Sequence, residues 1–308
     1  MARTANASEA IRAVIGEAMA SDPGLTVVRE TPGVSSGGPT PDVALPEGRV
    51  TVVPIADRAA AAFAVGLALG GSRTVLELAG SERLPAIVEV LAEAASIAAG
   101  DEFPVPLLVR VPYGAWPAGE RGAGACAATL VSSVPGLRVV CPSTPALAAA
   151  LARWALQARR PVVLLEPVAL AEMRGDIGDD AAAAIPSQGG SPSAGLVRRG
   201  THATVAAWGA GVGAAIEAAA AVAREGIDVD VVDVVSLSPL DRVTLGARVR
   251  ATGRLVVAHP DEPLLAARIR EVALEEAFLF LEAPLADAAV PRGGGEPIAA
   301  AVRRAVHF

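Results

Sequence analysis

Residues 49–78 read RVTVVPIADRAAAAFAVGLALGGSRTVLEL. An apolar run stops at Pro54, an acid and a base follow, and an alanine-rich stretch of helical length leads through a Gly-Gly-Ser break into a second apolar run. Continuous Val/Leu runs without polar alternation suit strands buried on both faces. A helix between two of them makes a parallel β-α-β unit. The pattern continues on both sides. Upstream, SEAIRAVIGEAMASDPG has a cap at Ser8, apolar positions at Ile11, Val14, Ile15 and Met19, and a Pro-Gly stop; the strand LTVVRE (25–30) follows. Downstream come a helix over 84–99, the strand PLLVRVP, a Gly-rich loop over 113–124, the strand LRVVCP, a helix over 146–159 and the strand PVVLLEP.

The stretch GDIGDDAAAAIPSQGGSPSAG (175–195) is rich in turn formers and poor in core residues, which marks a boundary. Beyond it the alternation resumes with HATVAAWG, a helix over 212–225, DVDVVDVV, PLDRVTLGARVRAT, RLVVAH, PLLAARIREVALEE, the short FLFLEAP and a terminal helix. The expectation is therefore α/β, with two doubly wound domains of mostly parallel sheet at 1–178 and 196–308, joined by a linker at 179–195.

With 308 residues, 52% hydrophobic and 19% charged, the chain has room for two real cores. A net charge of −7 gives neither nucleic acid nor an anionic membrane an electrostatic reason to approach. All 26 basic residues are arginine, which removes lysine nucleophiles and Schiff-base chemistry. Cys126 and Cys141 are too few for a disulfide framework or a zinc site. With no targeting segment and no uninterrupted apolar stretch of about 18 residues, the expected setting is cytoplasmic.

Several motifs compete for a functional role. WGAGVGAA follows a strand and opens a helix, with Gly209, Gly211 and Ala214 in a relaxed dinucleotide fingerprint and Asp228, Asp230 and Asp233 where a ribose-binding acid would stand. Such turns are common in any doubly wound fold, so scaffold is the favoured account. His202 and His307 are expected to be exposed and inert. His259 ends RLVVAH at a carboxyl edge, where open α/β sheets gather their functional groups. Glu89 and Glu93 form an ordinary polar stripe on an amphipathic helix. Asp57 has two readings, a helix cap or a working carboxylate.

PIADRAAAAFAVGLALGG, LPAIVEVLAEAAS, FPVPLLVRVPYG, VPGLRVVCPSTP, PVVLLEP, GLVRRGTHATVAAWGAGV, VDVVDVVSLSPLD and TGRLVVAH occur in order over nearly the whole chain. Together they resemble the beta subunit of the thiamine-diphosphate-dependent decarboxylase component of 2-oxoacid dehydrogenases of pyruvate, branched-chain or acetoin type. The resemblance implies a pyrimidine-binding domain at 1–178, a transketolase C-terminal domain at 196–308, and the Gly209 turn as scaffold. It implies a beta subunit that decarboxylates a 2-oxoacid, or cleaves a related ketone, and transfers the acyl or ketol unit to an acceptor. Thiamine diphosphate would be shared with an alpha subunit, which holds magnesium and diphosphate in an alpha2beta2 heterotetramer. A lipoyl acyltransferase or another acyl acceptor would complete the set of partners.

By the same resemblance Asp57 stands where the family places a glutamate that hydrogen-bonds the aminopyrimidine. Such a carboxylate favours the imino tautomer and makes the exocyclic nitrogen a base. Asp57 and His259 are the implied catalytic residues; Asp57, Glu30, Leu78, Gly80, Glu82 and Tyr113 are the implied cofactor-binding ones; no metal ligand is implied. Three departures stand out. Asp57 is one carbon shorter than the family glutamate, the family's aromatic-rich segment is replaced by LELAGSERLP, and the loop after Pro-Tyr-Gly has no histidine, leaving Trp116, Glu120 and Arg121. The C-terminal domain is also trimmed after His259 and within LEAPLADAAVPRGGGEP. The departures in the pocket keep open an inert structural or binding subunit; the shared fold keeps open the C-terminal half of a split transketolase, although VRVPYG and VPGLRVVCPSTP favour the oxoacid lineage.

Overall fold

The computed structural model describes residues 4–30, 45–46, 48–54, 57–100, 102–114, 126–177, 185, 190–290 and 294–308. Most of the expected linker, residues 31–44, and Trp116, Glu120 and Arg121 lie outside the described residues. The chain divides into two units, Met1–Ser191 and Pro192–Phe308.

In the first unit the chain runs β1 (Thr4–Ala5), α1 (Ala7–Ser21), β2 (Leu25–Glu30), β3 (Val50–Val53), α2 (Asp57–Leu69), β4 (Arg73–Glu77), α3 (Leu84–Ala98), β5 (Leu107–Tyr113), α4 (Ala127–Ser132), β6 (Arg138–Val140), α5 (Pro145–Gln157), β7 (Val162–Pro167) and β8 (Gly175–Asp176). Residues 49–78 thus form the expected strand-helix-strand unit, but only β4 is buried as expected: β3 is the edge strand of the sheet, with Thr51 and Val52 exposed. Strands β6-β7-β5-β4-β2-β3 lie side by side in that order, every pair parallel. β5 and β7 are almost wholly buried, as unbroken Val/Leu runs require.

Helix α1 corrects one sequence expectation. Its N-cap is Asn6, not Ser8: Asn6 Oδ1 accepts from the Glu9 N–H at 2.8 Å and Glu9 Oε2 accepts from the Asn6 N–H at 3.2 Å, a complete capping box. Ser8 sits in the first turn, and its hydroxyl accepts from Arg110 Nη2 at 2.5 Å. Arg174 closes on the same box, donating to both Glu9 oxygens at 2.8 and 3.1 Å beside the antiparallel β1–β8 pair.

A charged network crosses the otherwise apolar sheet. Arg29 on β2, Glu77 on β4 and Arg110 on β5 are register neighbours on three adjacent strands, and Glu166 on β7 is opposite Pro112 of β5. Arg29 Nε donates to Glu77 Oε2 at 2.7 Å, and Arg110 Nη1 donates to Glu77 Oε1 at 3.0 Å. Arg110 also grips Glu166 with two donors, Nε at 2.8 Å and Nη2 at 3.2 Å. Arg12, on the buried face of α1, lies 3.8 Å from Glu77. Glu77 and Arg110 are only 7% and 5% exposed. Burial by itself would push the Glu77 carboxyl up, but Arg110, Arg12 and Arg29 together hold it below the usual carboxylate value. Arg110 is itself pulled down by burial and raised overall by Glu166 and Glu77.

In the second unit the chain runs β9 (Gly195–Arg198), β10 (Ala203–Ala207), α6 (Gly211–Ala223), β11 (Val229–Asp233), β12 (Ser236–Ser238), α7 (Arg242–Thr252), β13 (Leu255–His259), α8 (Pro263–Ala277), β14 (Ala286–Ala289) and α9 (Glu296–Val306). The sheet order is β14-β13-β10-β11-β9, parallel except for the antiparallel edge strand β9. Its core is chiefly Val and Ala from β10, β11, α6 and α9. Gly200 packs so closely that a Cβ there would lie 2.2 Å from the Val229 carbonyl carbon. That approach lets its N–H reach the buried Asp230 Oδ1 at 2.6 Å. No described helix is long and apolar enough to cross a membrane.

Two outcomes follow from the network. Glu77→Gln, which leaves the buried guanidinium groups facing a neutral amide, is expected to cost about 3–5 kcal/mol, read as a lower urea midpoint at unchanged slope. Because the Glu77 carboxyl is held below its ordinary 4.5, the unfolded chain binds the more protons in acid. The corresponding stability is fully present above about pH 4.5 and drains as the pH falls further. Denaturant melts across that window are expected to show the loss in wild type and a shallower one in Glu77→Gln.

Candidate functional site

In the first unit the chain passes from β2 to β3 on one side and then returns to β4 on the other. The order of connections therefore reverses between β2 and β4. At such a switch point, beyond the carboxyl ends of the strands, a crevice forms that open α/β sheets use for ligands. Most of the implied residues gather at this edge. Glu30 ends β2, Leu78 follows β4, and Tyr113 ends β5. The side chain of Glu30 is outside the described residues. Leu78 is buried, its N–H donating to the Arg110 carbonyl at 3.0 Å, and Tyr113 is buried opposite Pro167.

Asp57 opens α2 four residues after the last residue of β3. It sits within the first helical turn, where unpaired N–H groups and the helix dipole favour a carboxylate. Its side chain faces the next crossover: Asp57 Oδ2 is 3.5 Å from Arg83 Nη1. Arg83 ends a 3-10 turn, Ser81–Arg83, whose Arg83 N–H donates to the Gly80 carbonyl at 3.2 Å; α3 starts at the next residue. On its other side Arg83 Nε lies 3.6 Å from Glu82 Oε1. Gly80 is extended, with φ −175°, so its value is spatial rather than conformational. A Cβ there would meet Glu82 Oε2 at 2.1 Å, and the missing side chain is what lets that carboxylate fold back.

Asp57, Arg83 and Glu82 are thus one cluster, each about a fifth to a quarter exposed. Helices α2 and α3 pack together, which brings their first turns side by side. An exposed pair, Arg58 Nη2 to Glu89 Oε2 at 2.5 Å, spans the same two helices. Asp57 Oδ1 and Glu82 Oε1 are buried oxygens with no hydrogen-bond donor among the described residues. Buried acceptors of this kind are costly unless something donates to them.

His259 belongs to the second unit. It ends β13 at the carboxyl edge as its sequence position suggests, but is only 2% exposed. Nδ1 accepts from the Glu262 N–H at 2.9 Å. A backbone amide can only donate, so Nδ1 carries no proton and the remaining ring proton sits on Nε2, 3.3 Å from Asp287 Oδ2. Asp287 is in turn held by Arg270 at 2.6 Å. Both ring nitrogens are therefore engaged within the unit.

The acids beyond the Gly209 turn serve the fold in the same way. Asp230 is fully buried against Arg248 and the Gly200 N–H, Asp233 Oδ1 accepts from the Val235 N–H at 3.2 Å, and Asp228 pairs with Arg198 at 2.9 Å. Among the described residues no group of three or more His, Cys, Asp or Glu side chains could hold a metal ion.

Two features were missed in reading the sequence. The Glu77 network did leave a signal, because Arg29, Glu77, Arg110 and Glu166 are charges inside runs otherwise made of Val and Leu. Arg83 left none, since a single arginine between a strand and a helix has no periodicity to betray it.

Comparison with known proteins agrees with this architecture. The family description "Transketolase, pyrimidine binding domain" matches residues 3–173, and "Transketolase, C-terminal domain" matches 193–308. The chain is 32% identical over 284 residues to the pyruvate dehydrogenase E1 component subunit beta of Acholeplasma laidlawii, covering 89% of this chain and 86% of that one. It is 31% identical over 240 residues to the acetoin:2,6-dichlorophenolindophenol oxidoreductase subunit beta of Cupriavidus necator, covering 76% and 70%. A solved "split gene transketolase, inactive beta4 tetramer" superposes with a TM-score of 0.74 over 98% of both chains at 20% identity, a likeness of fold. The chain belongs to the transketolase-type family of beta subunits that includes those of the pyruvate dehydrogenase E1 component.

Proposed function

We propose that the chain is the beta subunit of a heteromeric, thiamine-diphosphate-dependent enzyme. It would decarboxylate a 2-oxoacid, or cleave a related ketone, and pass the acyl or ketol unit to an acceptor. The observation that carries this reading is Asp57 Oδ1, a buried acceptor without a donor among the described residues, at the switch point of a chain of this family. The residues fit the pyrimidine half of the cofactor. An aminopyrimidine brings an exocyclic amine and, once protonated at a ring nitrogen, a ring N–H, which are the donors that Asp57 Oδ1 and Glu82 Oε1 lack.

When bound, thiamine diphosphate supplies the carbon nucleophile and electron sink for cleavage next to a carbonyl. The rest falls to this chain. Asp57 accepts from the ring nitrogen and holds a proton there, in a site where partial burial strengthens the hydrogen bond. Leu78 and Tyr113 supply buried apolar surface at the ends of β4 and β5, and Gly80 leaves space beside Glu82. Glu30, at the end of the neighbouring β2, stands on the same edge. An aspartate reaches about 1.5 Å less far than a glutamate, a distance that a bridging water or a small backbone shift would close on binding. His259 contributes by holding the end of β13 in its neutral tautomer. Magnesium and diphosphate fall to an alpha subunit, in an alpha2beta2 assembly that hands its product to a lipoyl acyltransferase or another acyl acceptor. Two cysteines, Cys126 and Cys141, too few for a disulfide framework, suit a cytoplasmic setting.

Calorimetric titration of thiamine diphosphate and magnesium into the chain reconstituted with an alpha subunit tests the cofactor assignment. Asp57→Ala is expected to weaken binding about ten- to hundredfold, and equal affinity of the two proteins would remove Asp57 from the site. A decarboxylation screen of 2-oxoacids against ketose phosphates is expected to give turnover with the oxoacids. Turnover with ketose phosphates alone points instead to a split transketolase, and cofactor binding without turnover on either set points to an inert subunit.

A further inference from the structure

The geometry points to Arg83 as a positioning residue that aims Asp57 at its ligand. This inference rests on the preceding reading that Asp57 meets an aminopyrimidine. Two carboxylates flank one guanidinium: Asp57 Oδ2 at 3.5 Å from Nη1 and Glu82 Oε1 at 3.6 Å from Nε. The guanidinium is planar, with Nη1 donating to Asp57 Oδ2 and Nε in a longer, purely ionic contact with Glu82 Oε1, so the two carboxylates hold it from two sides. Held on Oδ2, the Asp57 carboxylate has its second oxygen defined in direction, and that oxygen is the buried Oδ1 with no donor among the described residues.

The backbone beneath Arg83 is also fixed. Its N–H closes the 3-10 turn onto the Gly80 carbonyl, and the residue is the N-cap of the fifteen-residue α3. Glu82 can take its place on the far side of the guanidinium because Gly80 has no side chain in the way. The stretch that replaces the family's aromatic segment therefore contributes an ionic brace. A short carboxylate gains most from such a brace, because it cannot search for its partner along an extra carbon and must be directed.

A double-mutant cycle on the reconstituted pair tests this. The readouts are the affinity for thiamine diphosphate with magnesium and the near-ultraviolet circular dichroism of the bound aminopyrimidine. Arg83→Gln is expected to weaken binding about tenfold, and Arg83→Lys, which keeps the charge but not the planar fork, to recover only part of it. In an Asp57→Asn background, Arg83→Gln is expected to change affinity by less than about twofold, because there is no charged carboxylate left to direct. Arg83→Met, which keeps the aliphatic stem, carries the same cycle where Gln impairs folding, with unfolding midpoints recorded for each protein. Unchanged affinity in Arg83→Gln, or additive losses in the double variant, would overturn the role of Arg83 while leaving the cofactor assignment intact. A wild-type pair that binds no thiamine diphosphate overturns both.

Discussion

Arg110 is the constraint on which the first unit depends. Five N–H donors in one plane let a single buried guanidinium serve Glu77 on one neighbouring strand, Glu166 on the other and Ser8 on the covering helix. Apolar strands can slide past one another at little cost in contact area, but paired charges buried at fixed positions cannot. Replacing the whole network with well-packed apolar residues need not destabilise the protein, yet losing one member strands the others in a medium that cannot solvate them. The network therefore contributes registration more than net stability. Because Arg29 and Glu77 are the register neighbours at the ends of β2 and β4, what it registers is the rim of the switch point.

Much of the architecture was legible because it follows from periodicity. The runs TVLEL, LLVRV and VVLLEP had to be buried strands, and the stretches between them had helical length and apolar spacing; TVV is a strand too, but it lies at the sheet's edge with Val52 exposed, which its apolar run did not reveal. What escaped lacks such periodicity. β14 is built from ADAA, which has no β-branched residue to mark it, and the two-residue strands β1 and β8 are too short to carry a pattern. The α1 cap was misplaced because Ser8 is as good a capping type as Asn6. Only the reciprocal bond from Glu9, three residues after Asn6, decides between them.

The candidate site divides along the same line. Asp57 is a candidate through the resemblance of PIADRA to the family's motif, since Pro54 and the alanine helix by themselves indicate only a helix cap. The partner that turns it, Arg83, is 26 residues away and meets it only through the packing of α2 on α3. His259 shows the reverse. Its place at the end of a parallel strand suggested chemistry, but both nitrogens are committed to the Glu262 amide and Asp287. Position in a fold tells where function gathers; hydrogen-bond capacity left over tells which residue there is free to act.

The clasp at the start of the chain has a mechanical meaning. β1 pairs with β8, and Arg174 bonds both to Glu9 and to the Thr4 carbonyl, so the first unit begins and ends at one corner. Tension drawn through the residues after 177 loads that small ladder before it reaches the parallel sheet. The two ends are thereby fastened to each other as well as to the sheet, so neither can peel away without breaking the same short ladder and the same arginine bonds.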